Sequence, residues 1–131
     1  MKKLICSVLA LMACVLAFVG CTKEDDFTES DLVGTWKMVR FYDPDEGWES
    51  TENSDWITLY YHFAKNGVGY DERIDGSNRE ENDFEYSVNG TGLRIEFSRD
   101  TEIWTIESIK SKKMIWSDRY DCKMELKKVS K

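Results

Sequence analysis

Residues 120–127, Tyr120-Asp121-Cys122-Lys123-Met124-Glu125-Leu126-Lys127, alternate strictly between two kinds of side chain. Along an extended chain, tyrosine, cysteine, methionine and leucine fall on one side, and the charged residues fall on the other. A helix, with its period of 3.6 residues, would mix the two sets. The stretch therefore predicts a β-strand with one buried face and one face in water.

The same period of two recurs from residue 35 to the C-terminus and predicts an all-β domain. Short connections at 65–67, 89–92 and 109–113 alternate with long polar ones at 43–55 and 75–82. In an up-and-down meander, every second connection lies at the same end, so this spacing favours an antiparallel barrel with a closed base and an open mouth. A β-sandwich of the same strands is the alternative. The eight predicted strands are 35–42, 56–64, 68–74, 83–88, 93–98, 102–108, 114–117 and 120–128.

The N-terminus has the layout of an export signal. A basic start at residues 1–3 precedes an almost unbroken apolar run at residues 4–19. This run of about sixteen residues is shorter than the roughly 17–25 that a membrane-spanning helix needs. A signal peptide fits the basic start and the short apolar run better than a membrane anchor does.

The cysteine that follows resembles a lipidation site. Phe18-Val19-Gly20-Cys21 is similar to the box of bacterial lipoproteins, in which a peptidase cuts before the cysteine and lipid is attached to its sulfur. The resemblance implies a stable membrane anchor at Cys21, because several acyl chains each contribute about 0.8 kcal/mol per buried CH₂. An ordinary signal peptide with an unmodified cysteine is the alternative. We predict a lipoprotein signal peptide at 1–20, an acidic tether at 21–30 and one domain at 31–131.

Charge and cysteine content restrict the partners and the crosslinks of that domain. The whole chain carries a formal charge of −7, and loss of the two lysines in residues 1–20 makes the remainder more acidic. Nucleic acid is therefore an unsuitable partner, since its phosphates require a basic footprint. Cys122 is the only cysteine beyond Cys21, so no disulfide within the domain is predicted. Lys23-Glu24-Asp25-Asp26 is similar to the signal that sends some lipoproteins to the outer face of the outer membrane, and a solvated linker is the alternative interpretation. We expect a location in the cell envelope, lipid-anchored to the outer membrane.

Two motifs resemble those of lipocalins. Gly34-Thr35-Trp36, at the start of the first predicted strand, resembles their Gly-x-Trp motif. Phe63-Ala64-Lys65-Asn66-Gly67-Val68-Gly69 is similar to the Phe-x-x-x-Gly-x-Gly hairpin of bacterial lipocalin-like lipoproteins. The resemblance spans residues 31–129 and implies a calycin-type barrel.

The resemblance also implies how the base is closed. In the family, the tryptophan of the first strand, here Trp36, plugs the base, and an arginine near the last strand covers it. Arg119 would lie at the opposite end of the barrel, so only Lys127 or Lys128 approaches Trp36. Before the first strand, we predict a short turn under the barrel that is capped by Ser30.

The sequence offers no catalytic or metal-binding motif that we can identify. Nucleophile motifs such as Gly-x-Ser-x-Gly and the zinc motif His-Glu-x-x-His are missing, and the only histidine, His62, is predicted to face outward. Acid-rich stretches at 43–49 and 71–76 offer oxygen ligands but lack the calcium-loop spacing, and a solvated charged loop is the simpler interpretation. We predict no catalytic residue, no metal and no cofactor.

Aromatic side chains are concentrated at the predicted open end, where they could hold a ring-bearing ligand or the side chains of a partner. Arg40 could pair with a ligand carboxylate, or simply with Glu72. Alternation directs the following residues into the barrel: Trp36, Met38, Arg40, Tyr61, Phe63, Trp104, Ile106, Met114, Trp116 and Met124. The candidate ligand-binding residues are Arg40, Tyr42, Trp48, Trp56, Tyr61, Trp104, Trp116 and Tyr120.

These observations predict a membrane-anchored, non-enzymatic lipocalin-like protein that binds a small apolar or amphipathic molecule at its open end. The alternative is a filled barrel whose loops bind an envelope protein or a glycan, as an interaction module or inhibitor. An eight-stranded barrel is wide enough either to be filled by side chains or to hold one small ligand. A cavity behind the aromatic mouth would support the first hypothesis, and a packed interior would support the second.

Overall fold

The regular structure in the described part of the chain consists of nine antiparallel strands, one short α-helix and one 3₁₀ turn. The structure is a computed structural model and describes residues 27–53 and 55–130. The predicted signal peptide, Cys21 and residues 21–26 of the predicted tether lie outside these ranges. The elements are α1 (Glu29–Leu32), β1 (Gly34–Asp43), β2 (Gly47–Ser50), β3 (Thr58–Phe63), a 3₁₀ turn (Lys65–Gly67), β4 (Val68–Asp75), β5 (Asn78–Asn89), β6 (Gly92–Phe97), β7 (Thr101–Lys110), β8 (Lys113–Ser117) and β9 (Lys123–Ser130).

The sheet closes into a barrel. Strands β1 and β3 to β9 pair in sequence order, and β9 returns to pair with β1, as in Met38↔Leu126. This closure confirms the eight-stranded up-and-down barrel and makes the sandwich alternative wrong. Strand β2 is not part of this closed barrel. It pairs only with the last residues of β1, from Arg40↔Ser50 to Asp43↔Gly47. We predicted this part of the chain as loop, but Gly47 turns with a φ of 85° and lets the chain fold back on β1.

The predicted long loop at 75–82 is also wrong. Strands β4 and β5 stay paired as far as Asp75↔Asn78, so that only Gly76 and Ser77 form the turn. Gly76 adopts a φ of 64°, which a two-residue hairpin turn favours. The polar composition of this stretch reflects a long hairpin that extends into water beyond the barrel.

Strand β9 begins three residues later than predicted. Asp118 organises a turn before it, because its Oδ1 atom accepts the backbone N–H groups of Tyr120 at 2.9 Å and Cys122 at 3.1 Å. Tyr120 is consequently 67% exposed, and its predicted inward orientation is wrong. Further along, Met124 and Leu126 are buried in the barrel as the alternation predicted.

Helix α1 crosses the base of the barrel and covers Trp36. Leu32 is fully buried, and its carbonyl oxygen accepts the indole N–H of Trp36 at 2.8 Å. The ammonium of Lys128 lies 5.5 Å from the centre of the Trp36 ring, so a lysine stands where lipocalins place an arginine. The N-terminal cap of the helix is Thr28, whose N–H bonds Asp31 Oδ2 at 2.9 Å, and not Ser30 as predicted.

The lower and middle parts of the barrel are filled by side chains. Aromatic rings pack edge to face there. The ring centres of Tyr61 and Trp116 are 5.1 Å apart, and those of Phe63 and Tyr86 are 4.9 Å apart. No helix among the described residues is long and apolar enough to cross a membrane. The buried apolar residues are Leu32, Trp36, Met38, Leu59, Tyr61, Phe63, Phe84, Tyr86, Leu93, Ile95, Ile106, Met114, Trp116, Met124 and Leu126.

Candidate functional site

A β-bulge in the first strand decides which residues reach the open end from inside. Met38 pairs with Leu126 and Arg40 pairs with Glu125, so Val39 is an extra residue on β1. The extra residue reverses the alternation. Arg40 therefore lies on the outer wall, and its predicted inward orientation is wrong.

Three of the candidate residues meet outside the barrel. The guanidinium of Arg40 lies 4.5 Å from the ring centre of Trp48. The ring centres of Trp48 and Tyr42 are 5.4 Å apart. Arg40 Nε donates to Glu125 Oε1 at 2.9 Å. Its predicted partner, Glu72, instead pairs with His62 and with Arg79 on the outer wall.

Phe41 and Trp56, rather than Arg40 and Tyr42, lie on the inner face of the open end. Phe41, shifted by the bulge, pairs with the inward-facing Met124. Its ring lies 5.8 Å from that of Trp56, which packs against the core. The indole N–H of Trp56 reaches Glu49 Oε2 at 3.3 Å. Trp56 therefore closes one side of the mouth and leaves little room for a ligand there.

Trp104, Trp116 and Tyr61 form the apolar floor of the open end. The rings of Trp104 and Trp116 stack with centres 5.1 Å apart, and Tyr61 packs edge to face on Trp116. The indole Nε1 of Trp116 is fully buried and has no hydrogen-bond partner within the described ranges. The rings of this floor are packed directly against one another.

A polar layer covers this floor. Tyr61 Oη and Trp104 Nε1 both donate to Glu102 Oε1, at 3.0 Å and 3.1 Å. Asp71, which is fully buried, accepts hydrogen bonds from Arg73 Nε at 3.2 Å and from Asn82 Nδ2 at 3.0 Å. The barrel interior thus changes from aromatic to charged within one layer of side chains.

The carboxyl of Glu102 is electrostatically perturbed. Burial raises its pKa above the usual value, although the hydrogen bonds from Trp104 and Tyr61 and the charge of Arg73 favour the ionised form. Burial, followed by the charge of Glu102, raises the pKa of Tyr61 well above its ordinary value. Tyr61 therefore remains a hydrogen-bond donor to Glu102 over the whole physiological range.

Two recesses open above the polar layer. The first has a volume of about 590 Å³ and lies between β4, β5 and the turn from β6 to β7. Six carboxylates and two guanidiniums border it, together with the ring of Phe97. Its inward-facing border is formed by Asp71, Arg73, Asn82, Phe97 and Glu102.

The second recess is a notch in the barrel wall, with a volume of about 490 Å³. Strands β7 and β8 separate beyond the pair Thr105↔Ser117, and the gap exposes one side of Trp104. Arg119 and Tyr120 form the opposite border. Glu102 borders both recesses.

The eight candidate residues are thus divided among four places. Arg40, Tyr42 and Trp48 lie on the outer wall, Trp56 closes one side of the mouth, Tyr61, Trp104 and Trp116 form the floor, and Tyr120 borders the notch. Trp36, the predicted plug, lies at the opposite end under α1.

Sequence reasoning missed the polar layer. We assigned residues 71–76 to an acid-rich loop, whereas Asp71 and Arg73 lie on β4 and face inward. The signal was present: Asp71 and Arg73 alternate with Glu72 in a stretch that was also predicted as a strand. Charged residues at both sets of positions concealed which set is inside. In the residues that the structure describes, no group of three or more side chains has a metal-binding arrangement.

Comparisons with known proteins agree with this architecture. A family described as a lipocalin-like domain matches residues 32–116. A lipocalin-like protein from Bacteroides uniformis ATCC 8492 is 16% identical, with a TM-score of 0.64 over 76% of this chain and 99% of that one. An uncharacterized protein from Bacteroides eggerthii DSM 20697 is 17% identical, with a TM-score of 0.62 over 74% and 98%.

At these identities the likeness to both solved structures concerns the fold alone. No curated protein matches the chain. The family match is made on the sequence itself and covers more than half of it, from the residues before Trp36 to Trp116 on β8. The chain therefore belongs to the lipocalin-like domain family.

Proposed function

We propose that this chain is a membrane-anchored binding protein, without enzymatic activity, that holds a small amphipathic molecule at the open end of its barrel. A lipocalin-like barrel is in general a ligand-binding fold, and the family is typically non-enzymatic. The observation that carries the proposal is Glu102, which accepts hydrogen bonds from Tyr61 and Trp104 and borders both recesses.

The borders of the recesses indicate the kind of ligand. An apolar segment can lie against Phe97 in the first recess or Trp104 in the notch. A polar head would then meet the carboxylates of Glu102 and Asp71, whose surroundings hold six acids against two arginines. Charge complementarity favours a cationic head, such as a primary ammonium group.

A calorimetric titration with dodecylamine, with dodecanoic acid as the matched anion, tests this proposal. We expect dodecylamine to bind more tightly. Glu102→Gln should weaken its binding about tenfold or more, because a hydrogen bond to a charged group contributes about 1.5–3 kcal/mol. The variant should remain as stable as the parent, since burial already disfavours the charged form of Glu102. Binding should also fall as the pH is lowered through the raised pKa of Glu102, because the protonated carboxyl loses its charge.

Glu85→Gln is the matched control, because it removes the same charge from an exposed residue of β5 that borders neither recess. Native mass spectrometry of the purified protein gives an independent measurement, because a bound natural ligand would appear as an added mass. Equal affinity for the amine and the acid, or equal loss in both variants, would argue against a site at Glu102.

The anchor at Cys21 is proposed from the lipoprotein-like sequence around it. Cys21→Ser should release the protein from membranes, because lipid on this thiol is the proposed attachment. The measurement is the distribution between membrane pellet and supernatant after carbonate washing. A variant that stays in the pellet would contradict the lipid anchor, whereas release would support a location in the cell envelope.

The second candidate function is an interaction module that binds an envelope protein or a glycan. The interior of the barrel favours it, because buried aromatic side chains pack against one another below the polar layer. Exposed aromatic side chains also favour it: Trp48 is 37% exposed beside Arg40, and Tyr120 is 67% exposed at the notch. Trp48→Ala, a change outside both recesses, would then abolish capture of the partner but leave dodecylamine binding unchanged.

A further inference from the structure

A row of lysines crosses four neighbouring strands on the outer wall near the base. Lys37 on β1 pairs with Lys127 on β9, Lys127 pairs with Lys113 on β8, and Lys113 pairs with Lys110 on β7. We call these four residues the lysine row. All four face outward, because the residues next to them, such as Trp36, Leu126 and Met114, are buried in the barrel.

Such a row opposes the stability of the sheet. Like charges directly opposite each other on paired strands are destabilising. Two of the lysines are partly compensated, Lys37 by Glu52 at 3.6 Å and Lys113 by Glu125 at 4.0 Å. Within the described residues, no carboxylate oxygen lies within 4.0 Å of the ammonium nitrogen of Lys110 or of Lys127. The row therefore keeps an excess of positive charge, although the chain as a whole is acidic.

Two more lysines extend the row toward the base. The backbone N–H of Lys128 donates to the carbonyl oxygen of Lys112 at 2.7 Å, which joins the end of β9 to the turn between β7 and β8. Lys112 is exposed in that turn, beside Lys110 and Lys113. The positive surface thus reaches the base, whereas the opposite end of the barrel carries the acidic recess.

The chain enters the barrel at the same end. The N–H of Phe27 donates to the carbonyl oxygen of Gly90 at 3.1 Å, in the turn between β5 and β6. From Phe27 back to Cys21 is a step of six residues, which can span at most about 20 Å. A lipid on Cys21 would therefore hold the base close to the lipid headgroups.

We infer that the lysine row, with Lys112, docks on the anionic headgroups of the membrane that holds the protein. The inference rests on the proposed lipid anchor. The tether is attached below β5 and β6, and the lysines lie on the side of β7, β8, β9 and β1, so the two contacts would hold the base at two separated points. Docking in this way turns the acidic recess and the notch away from the bilayer. A lipid anchor and a basic surface also reinforce each other, as two membrane signals generally do.

Lysine footprinting of the acylated full chain tests the inference. The protein is reconstituted into vesicles of phosphatidylcholine, alone or mixed with phosphatidylglycerol, and treated with a water-soluble amine-acetylating reagent. We expect acetylation of Lys110, Lys112, Lys113 and Lys127 to fall severalfold in the anionic vesicles and to recover at high salt. Lys123, which lies near the open end, is the internal control and should react equally in both.

Variants provide a second comparison. Lys110→Gln combined with Lys113→Gln and Lys127→Gln should abolish the protection of Lys112 in anionic vesicles. Arg99→Gln combined with Arg119→Gln, which removes positive charge from the open end, should leave that protection unchanged. Loss of protection in both variants would mean that net charge, and not the row, holds the protein to the membrane, and would overturn the inference.

The remaining outcomes are separable from a failure of the anchor. Equal acetylation in neutral and anionic vesicles would overturn the docking. Protection of these lysines in neutral vesicles and in detergent would also overturn the docking. It would mean that the chain's own acidic residues 24–26 shield the lysine row from the reagent. Flotation of the protein with neutral vesicles reports on the anchor alone. If flotation fails, the same footprint is measured with anionic vesicles added in excess, and unprotected lysines would again contradict the docking.

Discussion

Replacement of Trp36 by alanine is expected to lower the free energy of unfolding by about 3–5 kcal/mol, as the loss of a large core aromatic does. The Trp36 side chain is 1% exposed and fills the barrel where α1 crosses the base. Its indole N–H is also the partner of the Leu32 carbonyl oxygen, at 2.8 Å. The alanine variant would leave both a cavity and an unpaired buried acceptor, and denaturant unfolding measures the combined cost.

Phenylalanine substitutions separate the cavity from the hydrogen bond. Trp36→Phe removes a satisfied N–H, whereas Trp116→Phe removes an N–H that has no partner in the described structure. Both tryptophans are almost fully buried. We therefore expect Trp36→Phe to cost about 1 kcal/mol more than Trp116→Phe. Equal costs, or a Trp36→Ala variant that unfolds at nearly the parent denaturant concentration, would contradict the role of Trp36 as the plug of the base.

The barrel could be predicted from sequence because alternation is a local property. Each of the strands around Tyr61, Tyr86 and Ile95 buries one set of side chains, and a period of two reveals that set without knowledge of its neighbours. Closure followed from the number of strands and from their up-and-down connections. What alternation predicts is therefore reliable as long as a strand continues without interruption.

The outer-wall position of Arg40 could not be predicted, because it depends on how two distant strands pair. The bulge at Val39 is a property of the pairing between β1 and β9, and Val39 itself has no local signal such as glycine or proline. One extra residue moves every later side chain of the strand to the opposite face of the sheet. Arg40 was consequently predicted to face inward, and the inward position of Phe41 was missed.

The candidate site was predicted less well than the fold. Charged residues inside a barrel depend on partners from distant strands: Asp71 requires Asn82, and Glu102 requires Tyr61 from 41 residues away. A single sequence does not show such pairs, and burial of a charge is unfavourable unless the pair forms. The aromatic floor was predicted, whereas the polar layer that defines the recess became visible only in the structure.

Replacement of Gly69 by alanine is expected to be the most damaging of the glycine substitutions. A Cβ atom at this position would lie 2.2 Å from the carbonyl oxygen of His62 and 2.7 Å from Cε1 of Phe84. The first of these atoms belongs to the backbone of β3, so relief of the clash must separate β3 from β4. We expect a loss of about 3 kcal/mol or more, at the upper end of what overpacking costs.

Gly92 provides the matched control, because it also lies in a strand and a Cβ there would meet only the carbonyl oxygen of Asn89, at 3.3 Å. A shift of a few tenths of an ångström relieves that contact, so Gly92→Ala should cost about 1 kcal/mol or less. Thermal or denaturant unfolding of both variants measures the difference. If Gly69→Ala were no less stable than Gly92→Ala, close approach of strands would not be the reason for glycine there. The expected result instead gives the hairpin of Phe63, Gly67 and Gly69 a physical meaning: Phe63 packs in the core, Gly67 turns at a φ of 76°, and Gly69 leaves room for Phe84.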